Sequence, residues 1–294
     1  MNLRDLHYLV TVSKTLHFGK AARACNVSQP TLSMQLKKLE ETLGVQLFER
    51  TNKQVQLTTI GADIVVRARR ILAEVAQIKL AASATHDPLA GTVRLALFPT
   101  LAPYLLPSLM PLLRDTFPHI TLLLTEEKTP LLIQQLEAGN LDCALLALPI
   151  TSNTLATAPL FHEPFLLAVA RSHHLASRKT VRVGDLSPEN VLLLEDGHCL
   201  RDQALAVCHR VGVGESNNFR ATSLETLRHM VASSDAVTLM PQLATREADT
   251  ALRYIPFAQP SPSREIGLVW RKTSARAPLF AAMAGVIGEN YQKL

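Results

Sequence analysis

The pattern of apolar residues changes near residue 90, and this change limits the folds open to the chain. Before it, apolar residues recur at helical spacing, beginning with Leu3, Leu6 and Leu9. From Thr92 onward, short apolar strands alternate with amphipathic helices, an order typical of parallel α/β units. Between the two parts, His86-Asp87-Pro88 is predicted to end a helix. With 294 residues, the chain is long enough for two or three domains.

The excess positive charge is confined to the first part. Residues 1–87 hold 12 Lys and Arg against 7 Asp and Glu, a net charge of +5. Residues 88–294 hold 18 of each, so their net charge is zero. A local basic excess is typical of a module that binds a polyanion. A solvated basic face would also account for it.

The first 58 residues have the spacing of a winged helix-turn-helix. After a helix over about Phe18 to Cys25, Ser28 is a good N-cap and Pro30 suits the first turn of a helix that ends at Gly44. The second helix of such a motif enters the major groove. The side chains expected to face DNA from it are Ser28, Gln29, Pro30, Thr31, Ser33, Gln35, Lys37 and Lys38. A predicted two-stranded wing adds Arg50 and Lys53, which could reach the phosphate backbone or the minor groove.

A long helix is predicted next, from Thr58 or Thr59 to about Ala84. Its apolar residues recur at alternating steps of four and three, namely Ile64, Ala68, Ile71, Val75, Ile78 and Ala82. This is the pattern of a coiled-coil seam, so we expect the helix to dimerise. Packing of one helix on its own domain is the alternative.

Two cysteines, Cys199 and Cys208, stand nine residues apart in a stretch that looks helical. In a helix, nine residues place the thiols on opposite faces and roughly 13 Å apart, whereas a disulfide needs Cα atoms within about 7 Å. If they bond, the segment must unwind. His198 and nearby arginines are the kind of cationic neighbours that lower the pKa of a thiol. Two unrelated buried cysteines are the alternative.

The composition favours a cytoplasmic protein without a metal or cofactor. No apolar run approaches the ~18 residues of a membrane span, and the N-terminus lacks the form of a signal peptide, so no membrane partner is expected. Four cysteines in such a chain favour a reducing compartment, where a disulfide would be transient and regulatory. The pair His173-His174 has no ligand-like partners in the sequence, so we predict no metal.

Several N-terminal stretches closely resemble the LysR-type transcriptional regulators. They include Phe18-Gly19-Lys20-Ala21-Ala22, Ser28-Gln29-Pro30-Thr31-Leu32-Ser33, Leu43-Gly44 and Leu47-Phe48-Glu49-Arg50. The resemblance implies a winged helix-turn-helix domain (1–58), a linker and dimerisation helix (59–87) and a periplasmic-binding-protein-like effector domain (88–294). The last would have two Rossmann-like subdomains, about 92–162 with 267–294 and about 163–266. The implied partners are double-stranded DNA, RNA polymerase and further copies of the chain, in a homodimer or homotetramer.

Further stretches resemble the peroxide-sensing members of that family, among them Pro99-Thr100, Leu141-Asp142-Cys143, Leu194-Glu195-Asp196-Gly197-His198-Cys199 and Ser223-Leu224-Glu225-Thr226. This resemblance implies that Cys199 is the peroxidatic thiol and Cys208 the resolving thiol. It also implies a peroxide pocket of Thr100, Thr129, His198 and Arg264. The expected function is activation of antioxidant genes in response to hydrogen peroxide. Cys199 would be oxidised to a sulfenic acid and then to a disulfide with Cys208, which would remodel the effector domain and alter DNA binding.

Each of these residues also has a simpler interpretation. Thr100 and Thr129 could cap helices, Arg264 could lie on a strand edge at the surface, and His198 could be a turn donor. Cys25 and Cys143 are expected to be inert core residues. Two other functions stay open. One is a LysR-type regulator that binds a small organic effector between the subdomains. The other is a thiol peroxidase, which a basic winged helix argues against, so we do not expect an enzyme.

Overall fold

The computed structural model describes residues 1–50, 55–83, 89–212, 220–245 and 249–291. Lys53, predicted for the wing tip, and the predicted helix break at 86–88 lie outside these residues. The chain divides into two compact units, one of Met1–Thr85 with Glu137–Asn140 and one of His86–Leu136 with Leu141–Leu294. No helix in the described ranges combines the length and the apolar character needed to cross a membrane.

The N-terminal unit has the predicted helices and wing. Its elements are α1 (Leu3–Thr15), α2 (Phe18–Ala24), α3 (Gln29–Leu43), β1 (Phe48–Arg50), β2 (Val55–Leu57) and α4 (Thr59–Ser83). Helix α3 begins where Ser28 Oγ accepts a hydrogen bond from the backbone N–H of Thr31 at 3.3 Å. It ends at Gly44, whose φ of 69° suits glycine. Strands β1 and β2 pair antiparallel and form the predicted wing.

The apolar seam of α4 is divided between two environments. Ile64 and Ala68 pack into the core of the N-terminal unit, so this half of the seam packs on its own domain. Ile71 and Ile78, seven residues apart, are 43% and 69% exposed. The seam residues in the second half of α4 therefore form an exposed apolar face, whereas those in the first half are packed against the N-terminal unit. The Ala82 side chain lies outside the described structure.

In the described residues, the second unit contains a mixed sheet of seven strands, a separate pair formed by the seventh and eighth strands of the chain, and helices. Its strands are β3 (Gly91–Leu97), β4 (Ile120–Glu126), β5 (Cys143–Leu148), β6 (Leu155–Ala170), β7 (Leu193–Leu194), β8 (Arg220–Ala221), β9 (Thr238–Pro241), β10 (Leu252–Pro256) and β11 (Ser263–Arg271). Its helices are α5 (Ala102–Thr116), α6 (Thr129–Glu137), α7 (Cys199–His209), α8 (Leu224–Ala232) and α9 (Ala277–Asn290).

The strand order confirms a parallel unit of β3, β4 and β5 and differs from the parallel expectation at β6 and β11. The main path is β10–β6–β11–β5–β3–β4, with β9 also paired to β6. Strand β3 is parallel to β4 and β5, but β11 is antiparallel to β5 and β6. The chain leaves one subdomain along β6 and returns along β11, and two such crossings lying side by side must run in opposite directions. The predicted subdomain limits fall inside these two strands.

Two separate hydrophobic cores lie on either side of these crossings. The first core is built around β3, β5, α5 and α9, and the second around β9, α7 and α8. The two cysteines of α7 divide between them, because Cys199 packs against the first core and Cys208 belongs to the second. The two ends of this short helix therefore pack against different cores.

Candidate functional site: the Cys199 pocket

The segment between the two cysteines is helical, as predicted. Cys199 is the first residue of α7 and His198 is its N-cap. Cys199 and Cys208 are free thiols, and the helical rise places their Cα atoms roughly 13 Å apart. A bond between them therefore requires α7 to open.

Arg264 is the centre of a buried polar network. Its side chain has no exposed surface, and its Nε donates to Glu163 Oε2 at 2.7 Å. Its Nη1 and Nη2 donate to the hydroxyl and carbonyl oxygens of Thr100, both at 2.9 Å. The other oxygen of Glu163 accepts from the backbone N–H of Leu243 at 2.9 Å. The interpretation of Arg264 as a surface residue is therefore wrong, since burial of a guanidinium requires these partners.

Glu163 was not predicted for this site. It is fully buried and lies in β6 between Phe161 and Phe165, which are also buried. Residues two apart in a strand share a face, so a carboxylate between two inward-facing phenylalanines needs a buried cation. That spacing could have identified Glu163, although it does not identify Arg264 as the partner.

Neither threonine has the helix-capping role that was the simpler interpretation. The hydroxyl of Thr100 accepts from Arg264, and the N-cap position of α5 falls on Leu101. Thr129 is the first residue of α6. Its buried hydroxyl makes no well-directed hydrogen bond within the described structure, yet it approaches Cys199 closely enough to lower the pKa of the thiol. The structure thus brings Thr129 and Arg264 to Cys199, while Thr100 acts through Arg264.

The pKa of the Cys199 thiol is raised, in contrast to the expectation from its cationic neighbours. Burial is the largest cause and raises the pKa, while Arg264, Thr129 and the backbone of Leu200 lower it. Desolvation disfavours the thiolate, and the charge of Arg264 is already balanced by Glu163. Arg264, Thr129 and the backbone of Leu200 therefore offset part of the free-energy cost of burying a thiolate.

His198 is a neutral group at the rim of this pocket. Burial and the nearby Lys128 lower its pKa, so it is not the cationic neighbour that was expected. Its ring bonds to the backbone of Thr222, which fits the turn-donor interpretation. Its Nε2 is buried and has no hydrogen-bond partner among the described residues. A small polar molecule could therefore bond to this nitrogen.

A cavity of about 420 Å³ opens beside the pocket. It is lined by Thr100 and His198, and also by Tyr104, Glu126 and Glu225. The hydroxyl of Tyr104 donates to Glu225 at 3.2 Å. This volume lies within the usual range for small-molecule sites, and the cavity shares Thr100 and His198 with the predicted peroxide pocket.

The remaining cysteines differ from Cys199 in their surroundings. Cys208 is buried, and burial raises its pKa. Cys143 is buried on β5, where desolvation and Asp142 raise its pKa strongly. Cys25 is half-buried and lies 3.8 Å from Nδ1 of His7. The buried arginines Arg271 and Arg276 lie near Cys143 and lower the pKa of its thiol, but burial and Asp142 outweigh them.

The statement that His173 and His174 lack ligand-like partners is wrong. Glu189 lies between them, 3.3 Å from Nε2 of His173 and 3.1 Å from Nε2 of His174. The backbone N–H of Leu175 donates to Nδ1 of His173 at 3.3 Å, which puts the proton of the neutral ring on Nε2, facing Glu189. The cluster thus consists of two imidazoles at ion-pair distance from one carboxylate, and the absence of a metal stays a prediction.

The residues predicted to face DNA lie at the start and along the outer face of α3. Two of them, Ser33 and Gln35, are half-buried. The other six are exposed, namely Ser28, Gln29, Pro30, Thr31, Lys37 and Lys38. Ser28 also has a structural role, because its hydroxyl lies 2.7 Å from that of Thr31. For Arg50 the structure places the backbone on β1.

Comparison with known proteins matches both units. Residues 3–62 match the family described as bacterial regulatory helix-turn-helix protein, lysR family. Residues 86–292 match the LysR substrate binding domain.

The similar proteins cover nearly the whole chain. The DNA-binding transcriptional dual regulator OxyR of Escherichia coli K12 is 46% identical, over 98% of this chain and 95% of its own length. A full-length OxyR variant from Pseudomonas aeruginosa has a similar structure, with a TM-score of 0.80, 36% identity, and coverage of 98% of this chain and 94% of its own. A Corynebacterium glutamicum OxyR variant with hydrogen peroxide bound gives a TM-score of 0.69 and 32% identity, over 99% and 93% of the two chains. The chain belongs to the LysR family of bacterial transcriptional regulators and, within it, to the OxyR group.

Proposed function

We propose that this protein is a transcription regulator that senses hydrogen peroxide through Cys199. The observation that carries the proposal is the position of the Cys199 thiol against Thr129 and Arg264, two residues far apart in the sequence. Similar proteins are described as hydrogen peroxide-inducible genes activators, and one similar structure holds hydrogen peroxide. Both the site and the family therefore support the same chemistry.

The first step oxidises Cys199. Its sulfur, as the thiolate, attacks one oxygen of hydrogen peroxide, so an S–O bond forms and the O–O bond breaks. The departing hydroxide takes the proton released by the thiol, which leaves a sulfenic acid and one water molecule. Arg264 stabilises the negative charge on sulfur and on the leaving oxygen. The hydroxyl of Thr129 and Nε2 of His198 can hold the peroxide by hydrogen bonds.

The second step joins the two cysteines. The sulfur of Cys208 displaces the sulfenic oxygen of Cys199, which leaves as water together with the proton of Cys208. For this bond to form, Cys199 has to leave the first core while Cys208 leaves its buried position in the second. The disulfide thus fixes a different arrangement of the two subdomains, which is how oxidation would reach DNA binding.

The remaining assignments follow from the family and the exposed faces. The protein binds double-stranded DNA through α3 and the wing, and activates antioxidant genes together with RNA polymerase. It forms a homodimer or homotetramer through the exposed half of α4 and through its effector domains. It works in the reducing cytoplasm, as a regulator and not as a thiol peroxidase. The limits of its three domains are those predicted from the sequence.

A direct test follows the thiols and DNA binding together. Reduced protein is treated with one equivalent of hydrogen peroxide, and cysteine bonds are mapped by mass spectrometry without reduction. We expect a Cys199–Cys208 bond and a change in the pattern of DNA protection. Cys199→Ser should bind DNA but not respond, whereas Cys143→Ser, the control, should respond normally. Peroxide turnover without any effect on DNA binding would instead indicate a peroxidase.

The cavity of about 420 Å³ favours one competing function, a regulator that binds a small organic effector. Its volume exceeds what one peroxide molecule needs. The two functions differ in the response of Cys199→Ser, because an effector-driven regulator would still switch in that variant. A switch that survives in Cys199→Ser would contradict peroxide sensing.

A further inference from the structure

One lysine connects the start of α6 to the loop before Cys199. Nζ of Lys128 lies 2.5 Å from Oε1 of Glu195 and donates to the backbone carbonyl of Asp196 at 3.1 Å. Lys128 lowers the pKa of Glu195 through this hydrogen bond, so the carboxylate is charged at neutral pH. We call this set of contacts the Lys128 latch.

The stem of the same lysine packs over Gly197. A Cβ added to Gly197 would lie 3.1 Å from Cδ of Lys128, and the φ of +90° at this position also favours glycine. The loop therefore contacts Lys128 in two ways. Gly197 packs against the stem of the lysine, while Glu195 and the carbonyl of Asp196 bind its Nζ. A side chain at Gly197 would displace the stem of the lysine.

The two segments joined by the latch are those that meet at the thiol. Lys128 directly precedes Thr129, the residue whose hydroxyl approaches Cys199. On the other segment, Glu195 to Gly197 directly precede His198 and Cys199. The latch thus fixes the distance between the thiol and its threonine, although Lys128 itself has no contact with the sulfur in the described structure.

We propose that Lys128 is a positioning residue that holds Cys199 in its pocket and so favours the reduced form over the disulfide. The proposal rests on the proposed function, because it assumes that Cys199 must leave the pocket to reach Cys208. When Cys199 leaves, the adjoining loop moves with it, and the contacts of the latch are lost. Any stabilisation that the latch provides therefore belongs to the reduced form alone.

The size of the effect follows from the exposure of the pair. The side chains of Lys128 and Glu195 are 31% and 37% exposed, so solvent screens their attraction. Pairs of this kind change an equilibrium by about 2- to 5-fold. The latch therefore adjusts the switch and does not decide whether it works.

The test measures the thiol–disulfide equilibrium of the full-length protein in mixtures of reduced and oxidised glutathione. In this exchange, two glutathione thiols reduce one Cys199–Cys208 disulfide and become oxidised glutathione. In Lys128→Met the stem is kept and the charge is lost, so we expect the equilibrium to shift about 2- to 5-fold toward the disulfide. Glu195→Gln should give a similar shift, and the two changes together should not add. Lys128→Arg should keep most of the wild-type equilibrium.

The matched control is Lys272→Met, since Lys272 also donates to a backbone carbonyl, that of Asn153, at 3.0 Å. We expect no shift in this variant. Equal shifts in Lys128→Met and Lys272→Met, or additive effects of Lys128→Met and Glu195→Gln, would overturn the proposal. If the wild-type protein forms no Cys199–Cys208 bond at all, the proposed function fails instead, so the two failures are distinguishable.

Discussion

Arg264 and Glu163 show how a pair of opposite charges is buried in this protein. Every nitrogen of the guanidinium has an acceptor on Glu163 or Thr100. A buried pair of this kind contributes little net stability, because both ions lose their hydration. Removing one partner is costly, however, since the other charge then stays buried and uncompensated. The pocket thus depends on both residues being present.

At this scale we predict that Arg264→Ala lowers the free energy of unfolding by about 3–5 kcal/mol. The physical reason is the uncompensated carboxylate of Glu163. The double variant Arg264→Met with Glu163→Gln should recover much of the loss, because no charge is left buried. Urea unfolding followed by circular dichroism measures both, with Thr129→Val as a control of small effect. An Arg264→Ala variant as stable as the wild type would contradict the network.

The raised pKa of Cys199 leads to a second prediction. Because the thiolate is the nucleophile, its fraction grows about tenfold per pH unit while the pH is below the pKa. The pKa lies above its ordinary value of about 8.5. In Cys208→Ser, the rate of sulfenic acid formation should therefore rise through pH 8.5 without a plateau, as followed by stopped-flow trapping. A plateau near pH 6 would mean that Arg264 and Thr129 outweigh burial.

At the scale of elements, α7 is the part that has to change in the proposed switch. It holds one cysteine against each core, and a helix cannot bring its two ends within disulfide distance. The strength of the switch is therefore tied to the free energy of opening one helix of 11 residues.

We predict that oxidation increases hydrogen exchange over residues 199–209. The backbone hydrogen bonds of α7 protect its amides in the reduced form, and they are lost when Cys199 approaches Cys208. Mass spectrometry of reduced and oxidised protein measures this, with α9 as the internal control that should not change. Equal protection in both states, with the disulfide formed, would exclude opening of α7.

How far the sequence predicts such elements depends on the range of the interactions involved. The bounds of α3 and the helical state of residues 199–209 follow from caps and periodicity, which act over a few residues. Glu163 and Arg264 are 101 residues apart, and nothing local shows that β6 and β11 lie side by side. The resemblance to the family assigned the pocket residues. The direction of the Cys199 pKa depended on burial, which the spacing of charges does not show.

At the scale of the whole molecule, binding to DNA depends on the basic N-terminal unit. Lys37 and Lys38 are exposed on α3, and each phosphate contact contributes about 0.9 to the slope of log affinity against log salt. We predict that Lys37→Ala or Lys38→Ala weakens binding and lowers this slope by about 0.9. Fluorescence anisotropy with operator DNA at several salt concentrations measures it. Lys272→Ala is the control. An unchanged slope in the α3 variants would show that these lysines do not contact the DNA.

We expect self-association to depend on the exposed half of α4. Ile78 is 69% exposed, which is unusual for an isoleucine on a helix with an apolar stripe. We predict that Ile78→Glu weakens the dimer at least tenfold, because a charge would be buried between two helices. Sedimentation velocity over a range of concentrations measures this. Lys272→Glu is the control, and an unchanged dimer in Ile78→Glu would place the contact elsewhere.

The burial of Cys208 in the second core also implies a delay between oxidation of Cys199 and formation of the disulfide. In the proposed mechanism, a sulfenic acid on Cys199 forms while α7 is intact, but the thiol of Cys208 becomes available only when the helix opens. A sulfenic acid that is reduced by other thiols before such a moment leaves no lasting record. In the proposed switch, a brief exposure to oxidant would leave gene expression unchanged, whereas an exposure that outlasts the waiting time for α7 to open would alter it.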